Sequence, residues 1–426
     1  MAGGLMQLVA YGAQDVFLTG NPKVTFFQAV YKRHTNFAME TIEQTVNGSP
    51  APSGRVSTTI ARNGDLVADM FVEMKAKSGL NTDTKTSGNS AVWAAERAIK
   101  DVELSIGGQR VDKTYNRFWR LYAELYLTSD KKAQWGKMTS AVDSTIYLPL
   151  IFFFNRNPGL ALPLIALQYH EVRLDFDLTD QFSNYTDGST FKVWANYVYL
   201  DTEERRRFSQ KGHEYLIEQV QHTGTDSIKA GATKQVRLSY NHPVKSLIFC
   251  ADSGASTGWN FASNAAAADV VLTTNPALGT SNVVVSTVEG TGAPMLWASG
   301  GGGSAKRWVE DGAVTATDSV GPIETFKLVL NGQDRFKEQP GKYFNQVQPF
   351  VHFDGTPYPG VYAYSFALEP TAHQPTGTCN FSRIDNAQVA IKVKDLATAS
   401  ESLHMFAVNY NVLRIQSGMG GLAFSN

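Results

Sequence analysis

Residues 193–200 read VWANYVYL, and residues 405–413 read MFAVNYNVL. Aligning Asn196-Tyr197 with Asn409-Tyr410 sets the two stretches 213 residues apart. Working outward, ELSIGGQR (103–110) aligns with KLVLNGQD (327–334) at an offset of 224, and EVRLDF (171–176) with QVAIKV (388–393) at 217. Nearer the N-terminus, Ile42-Glu43-Gln44 aligns with Ile217-Glu218-Gln219 at 175, and RNGDLVADMFV (62–72) with YNHPVKSLIFC (240–250) at 178. One such match is weak, but five in the same order describe a duplicated unit. The offset jumps from 178 to 224, so the second copy carries an insertion of about 46 residues between Cys250 and Lys327. That region is rich in Ala, Gly, Ser and Thr, the composition of a long surface loop.

The repeated segments read as strands. Val172, Leu174, Phe176 and Leu178 alternate with Arg173, Asp175 and Asp177, the period-two pattern of a half-buried strand. Val193, Ala195, Tyr197 and Tyr199 alternate too, as do Val389, Ile391 and Val393. In LSIGGQR and LVLNGQD, Gly supplies a left-handed backbone for a tight turn. Short strands with such turns predict an all-β chain: two tandem eight-stranded jelly rolls with an N-terminal arm and short loop helices. The expected boundaries are an arm at 1–30, a first roll at 31–211 and a second at 212–426, with the long insertion at about 251–320. Tyr115, Trp119, Tyr122 and Tyr126 fall at helical spacing, so 115–126 is expected to be a helix in a loop excursion. The polar segment 201–215 is expected to link the copies.

Of the 426 residues, 38 are Lys or Arg and 39 are Asp or Glu. A near-neutral chain lacks the broad positive field of a protein that coats nucleic acid. Two cysteines, Cys250 and Cys379, supply neither a disulfide framework nor a multi-cysteine zinc site, and fit a reducing compartment. MAGGLMQLVAYGAQD does not read as a secretory signal, and Ala2 stands where N-myristoylation needs glycine. The apolar tract YLPLIFFFNRNPGLALPLIAL (147–167) is long enough to span a bilayer, but Asn155-Arg156-Asn157-Pro158-Gly159 interrupts it. It is expected to be two buried strands joined by a turn.

No chemistry-bearing motif holds up. His170-Glu171 reads as a strand-end polar pair, since a cupin-like metal site needs a close histidine pair. The GxSxG match GASTG (254–258) lacks the amphipathic helix a nucleophile elbow requires. GGGGS (300–304) and GMGG (418–421) read as a loop and a turn. Arg205-Arg206-Arg207 beside Glu203-Glu204 reads as a local ion-pair network. Sequons stand at Asn47, Asn184 and Asn380, and none is taken as a glycan site. Catalytic, cofactor-binding and metal residues are therefore expected to be absent.

Several long stretches carry a resemblance: QLVAYGAQDVFLTGNPKVTFF (7–27), YKRHTNFAME (31–40), DVELSIGGQRVDK (101–113), PLIFFFNRNPGLALPLIALQYHEVRL (149–174), PTGTCNFSRIDNA (375–387) and NYNVLRIQSGMGGLAFSN (409–426). On these the chain resembles the major capsid protein of the nucleocytoplasmic large DNA viruses, closest to the chlorella-virus (phycodnavirus) type. The resemblance implies a double jelly roll. It also implies a homotrimer with a pseudo-hexagonal outline, and capsomers that tile an icosahedral shell assembled in the host cytoplasm. Implied partners are neighbouring capsomers, minor capsid and penton proteins, an inner membrane beneath and attached glycans, with no sequence-specific nucleic-acid binding. The alternatives are a minor capsid paralogue of the same fold and a glycan-binding jelly-roll protein. The N-terminal stretch mixes Phe17, Phe26, Phe27 and Tyr31 with Lys32, Arg33 and His34. It is expected to be an assembly arm, the aromatics anchoring it under the rolls and the cations facing the inner side of the shell.

Overall fold

The computed structural model describes residues 3–10, 12–80, 90–229, 231–253, 297–299, 306–308, 321–358, 360–394 and 400–424. Most of the expected insertion, including GASTG and GGGGS, lies outside them. The chain divides into two units, Met1–Asn36 and Phe37–Asn426. The first holds two short helices, α1 (Gly3–Val9) and α2 (Ala13–Thr19).

The second unit begins with β1 (Phe37–Gln44), β2 (Val46–Asn47), β3 (Arg55–Thr59) and β4 (Leu66–Ala76). Next come α3 (Ala94–Ala98), β5 (Ile99–Ile106), β6 (Gln109–Tyr115), α4 (Asn116–Leu125), α5 (Ser129–Thr139) and β7 (Thr145–Pro149). Then follow α6 (Phe153–Arg156), β8 (Leu162–Pro163), β9 (Val172–Leu178), α7 (Phe182–Tyr185), β10 (Thr186–Leu200) and α8 (Thr202–Gln210). The second half holds β11 (His213–Lys229), β12 (Thr233–Arg237), β13 (Pro243–Ser253), β14 (Trp297–Ser299), β15 (Lys306–Trp308) and β16 (Ile323–Leu330). It continues with β17 (Gln333–Asp334), β18 (Gln339–Pro340), a π-helical turn (Tyr343–Val347), α9 (Gln348–His352) and β19 (Val361–Ser365). It closes with β20 (Cys379–Asn380), β21 (Ala387–Val393), β22 (Ser400–Gln416) and β23 (Met419–Leu422).

Four sheets make two sandwiches. Sheet 1A runs β1-β10-β4-β7 and sheet 1B runs β2-β3-β9-β5-β6. Sheet 2A runs β11-β22-β13-β19 and sheet 2B runs β12-β21-β16-β17. Counting only the eight main strands of each half, both have orders 1-8-3-6 and 2-7-4-5, which is the jelly roll written twice. All five repeated pairs fall on equivalent strands.

Residue register holds less well than strand identity. The hairpin pair is in register: Ile106 opposes Gln109 as Leu330 opposes Gln333, an offset of 224 in both strands. In sheets 1A and 2A, Trp194 opposes Phe71 as Phe406 opposes Ile248, so the true offsets are 212 and 177 rather than 213 and 178. The bulge confirms it, since Tyr197 opposes Val67 where Asn409 opposes Val244. The Asn-Tyr identity at 213 is therefore a one-residue slip. Strand β1 pairs with β10 as β11 pairs with β22 at an offset of 179, not 175, and β9 matches β21 at 215, not 217.

One local expectation needs correction. Tract 147–167 is buried but is not a strand-turn-strand. Its centre is α6 followed by a 3-10 turn, Pro158–Leu160, with Phe152, Phe153 and Phe154 in the core. Segment 201–215 links the two halves as expected, largely as helix α8, whose Arg205 pairs with Asp65 at 3.0 Å and whose Arg206 lies 3.7 Å from Glu203. The amphipathic stretch forms α4 as expected, but it is a buried wedge, with Phe118, Trp119, Leu121 and Leu125 all removed from water.

Candidate assembly surfaces and the seam between the rolls

The seam is built by α4 of the first roll and the outer face of sheet 2A. Phe118 packs on Phe406 with ring centroids 5.5 Å apart, and Tyr115 lies 5.9 Å from the same ring. Ile217, Ile248, Cys250, Val361, Ala363 and Val408 join the first roll's core cluster, while Leu247, Phe249 and Met405 on the opposite face fill the second roll's own core. Sheet 2A is thus apolar on both faces. Each large side chain buried there contributes about 1.5–3 kcal/mol.

Charge is also buried along the seam. Glu218 on β11 accepts from Arg156 of α6 at 2.7 Å and pairs with Lys245 of β13 at 2.6 Å. Burial lowers Lys245 to about 8, although Glu218 opposes that shift. Arg156 also sits over Tyr122, 5.0 Å from its centroid. Nearby, burial pushes the Asp112 carboxyl up to about 6, even though it accepts the backbone N–H groups of Val220 at 3.0 Å and Lys113 at 2.8 Å. A second cluster joins α4 and α5 to the loop before β19. Lys132 donates to Glu124 at 2.8 Å, Glu124 accepts the Tyr358 N–H at 3.3 Å, and the Gly355 N–H donates to the Leu125 carbonyl at 2.9 Å. A Cβ at Gly355 would stand 2.2 Å from the Glu124 carbonyl oxygen, so this approach requires glycine.

Beside Arg156 a cavity of about 300 Å³ opens among Tyr122, Tyr126, Asn157, Asp354 and His373. Its polar groups do not converge on a nucleophile–base pair. Among the described residues no group of three or more His, Cys, Asp or Glu could hold a metal. His170 Nδ1 lies 3.1 Å from the Gly420 N–H, which donates to it, so this residue ties β23 to the first roll. Gly107 and Gly108 have φ of 57° and 82°, and Asn331 and Gly332 have 50° and 80°, the left-handed turns read from the sequence.

The candidate arm residues belong to the unit Met1–Asn36. Phe17, Phe26 and Phe27 are 90%, 90% and 97% exposed, and Tyr31, Lys32, Arg33 and His34 are exposed as well. Large apolar side chains left bare in this way mark surfaces awaiting a partner. On the second unit, Phe350 of α9 is 89% exposed, with Val351 and Val347 beside it.

Sequence reasoning missed Arg156, Glu218 and Lys245 as a group. The available signal was a lone cation inside each of two apolar tracts, PLIFFFNRN and PVKSLIFC, because a buried charge demands a partner.

Comparison with known proteins covers the whole chain. A family model described as the N-terminus of the major capsid protein matches residues 25–201, and one described as the large eukaryotic DNA virus major capsid protein matches 204–421. The major capsid protein of Paramecium bursaria Chlorella virus 1 is 44% identical, with all of both chains covered. That of Phaeocystis pouchetii virus is 38% identical over the same full extent. The quasi-atomic structure of the PBCV-1 virus capsid superimposes with a TM-score of 0.74 at 39% identity, covering 94% of this chain and 100% of that one. The Faustovirus major capsid protein shares the fold at 14% identity, with a TM-score of 0.67 and coverage of 97% and 96%.

Proposed function

Because this chain belongs to the family of large eukaryotic DNA virus major capsid proteins, we propose that it is the structural brick of a virion shell. Three copies form a capsomer, and capsomers tile an icosahedral surface. The observation that carries this reading is the pair of rolls with one strand order, fixed side by side by a buried seam. Three such chains around a threefold axis present six similar sandwiches, and a near-hexagonal outline packs a plane without gaps. The protein acts by packing and not by turnover.

In this reading the rolls occupy residues 31–211 and 212–426, and residues 1–30 form the assembly arm. Phe17, Phe26, Phe27 and Tyr31 insert beneath the rolls of the capsomer. Lys32, Arg33 and His34 face inward, towards minor capsid and penton proteins or an anionic membrane surface. Neighbouring capsomers supply the lateral contacts, and loops at the opposite end are free to carry glycans. Electron micrographs of the purified protein test the reading. Pseudo-hexagonal particles are expected, and single two-lobed particles alone at all concentrations contradict it.

A further inference from the structure

The internal seam has two halves, and each half has an equivalent on the other roll. In the first roll, α4 lies between the fifth and sixth main strands and presses on the outer face of sheet 2A. In the second roll, the same connection carries the π-helical turn and α9. Its apolar side chains Val347, Phe350 and Val351 are 44%, 89% and 60% exposed. The surface equivalent to the seated face of sheet 2A is the outer face of sheet 1A. There Phe71 and Trp194 oppose each other as Ile248 and Phe406 do in the seam. Phe71, Trp194 and Tyr147 are half-buried. Phe71 stands 5.8 Å from Tyr147 and 6.5 Å from Trp194.

We propose that the outer face of sheet 1A receives α9 of a second copy of this chain, repeating between chains the contact that joins the rolls within one. The inference rests on the trimer reading and adds which faces meet. The chemistry suits an interface: an aromatic centre with an ion-paired rim. Trp194 Nε1 donates to Glu73 at 2.7 Å, Lys192 pairs with Glu43 at 3.4 Å, and Lys75 pairs with Asp143 at 3.3 Å. The geometry suits a ring. A contact between two different faces is head-to-tail, and a ring of three chains closes when this contact and the internal seam, alternating, each turn one roll to the next by about one sixth of a revolution.

The test places a photo-reactive benzoylphenylalanine at position 350 of the full chain. Mass spectrometry then maps the cross-linked peptides, with light scattering run in parallel. Trimers cross-linked from position 350 to peptides of β4, β7 or β10 in another copy are expected. Phe350→Asp is expected to weaken the trimer at least tenfold while leaving the melting profile of the separated chain unchanged. Trimers whose cross-links map elsewhere overturn this inference and leave the trimer reading standing. An unmodified protein that stays monomeric overturns both.

Discussion

Glu218 shows how much rests on single side chains. Among the described residues it is the one carboxylate ion-paired with both Arg156 and Lys245, at 2.7 and 2.6 Å. Removing one partner from a buried charge network typically costs about 3–5 kcal/mol, because the charges left behind lose their compensation in a low dielectric. Glu218→Gln is therefore expected to lower stability by about that amount in urea unfolding. A change below about 1 kcal/mol contradicts the assigned role. Gly355 is a second such position, where any Cβ meets the end of α4. Gly355→Ala is expected to lower the melting temperature by several degrees, equivalent to about 2 kcal/mol, whereas Gly332→Ala, with open space around its Cβ, costs about 1 kcal/mol for its positive φ. Equal losses at the two sites count against a close-packed loop at Gly355. The hairpin glycines were legible from sequence because a tight turn dictates them. Gly355 was not, because its requirement comes from a helix more than 200 residues away in the chain.

At the scale of elements, legibility followed the number of buried faces. Sheets 1B and 2B expose one face, so their strands alternate cleanly, and the hairpin register of 224 is correct, while β9 and β21 slipped by two residues, a slip that preserves the alternation. Sheet 2A is covered on both faces, and β19 is buried at every position. Such strands read as continuous apolar runs, and a one-residue slip leaves the pattern unchanged. That is why the offsets for β13 and β22 came out one residue long. The π-helical turn and α9 went unread although Phe344, Val347 and Val351 fall at helical spacing, because Pro349 interrupts the run. The two-faced sheet also holds a titratable pair. His222 on β11 and His404 on β22 stack 5.9 Å apart, with His222 4.5 Å from the Phe406 ring. Burial, aided by the positive charge of Arg117, lowers His222 to about 4 and His404 to about 2. Unfolded histidine titrates near 6.5, so the folded-state values are depressed. Their contribution to stability is complete above about pH 6.5 and is lost as pH falls, towards 4 for His222 and towards 2 for His404. His222→Phe is expected to flatten the decline in melting temperature between pH 6.5 and 4, by an amount on the order of 1–3 kcal/mol. Parallel pH profiles for the two proteins speak against a buried neutral histidine here.

At the scale of the whole molecule, duplication is what the sequence displayed most openly, since five aligned segments marked six pairs of equivalent strands. The seam was hidden because it depends on how one roll meets the other, and a helix read as a loop excursion became the wedge between them. The arm belongs to its own compact unit, Met1–Asn36. Deleting residues 1–30 is expected to leave the thermal unfolding of the rolls within about 1 kcal/mol of the full chain, while shell assembly in an infected or reconstituted system fails. Normal shells from the truncated chain contradict the assembly role of Phe17, Phe26, Phe27, Tyr31 and the cations that follow.

The central claim is that this chain is one third of a closed ring, and its mass in solution tests that most directly. Native mass spectrometry of the purified full-length protein is expected to show three copies of the 46.6 kDa chain as the dominant species. A protein that remains a single 46.6 kDa chain at micromolar concentration and near-neutral pH contradicts the account.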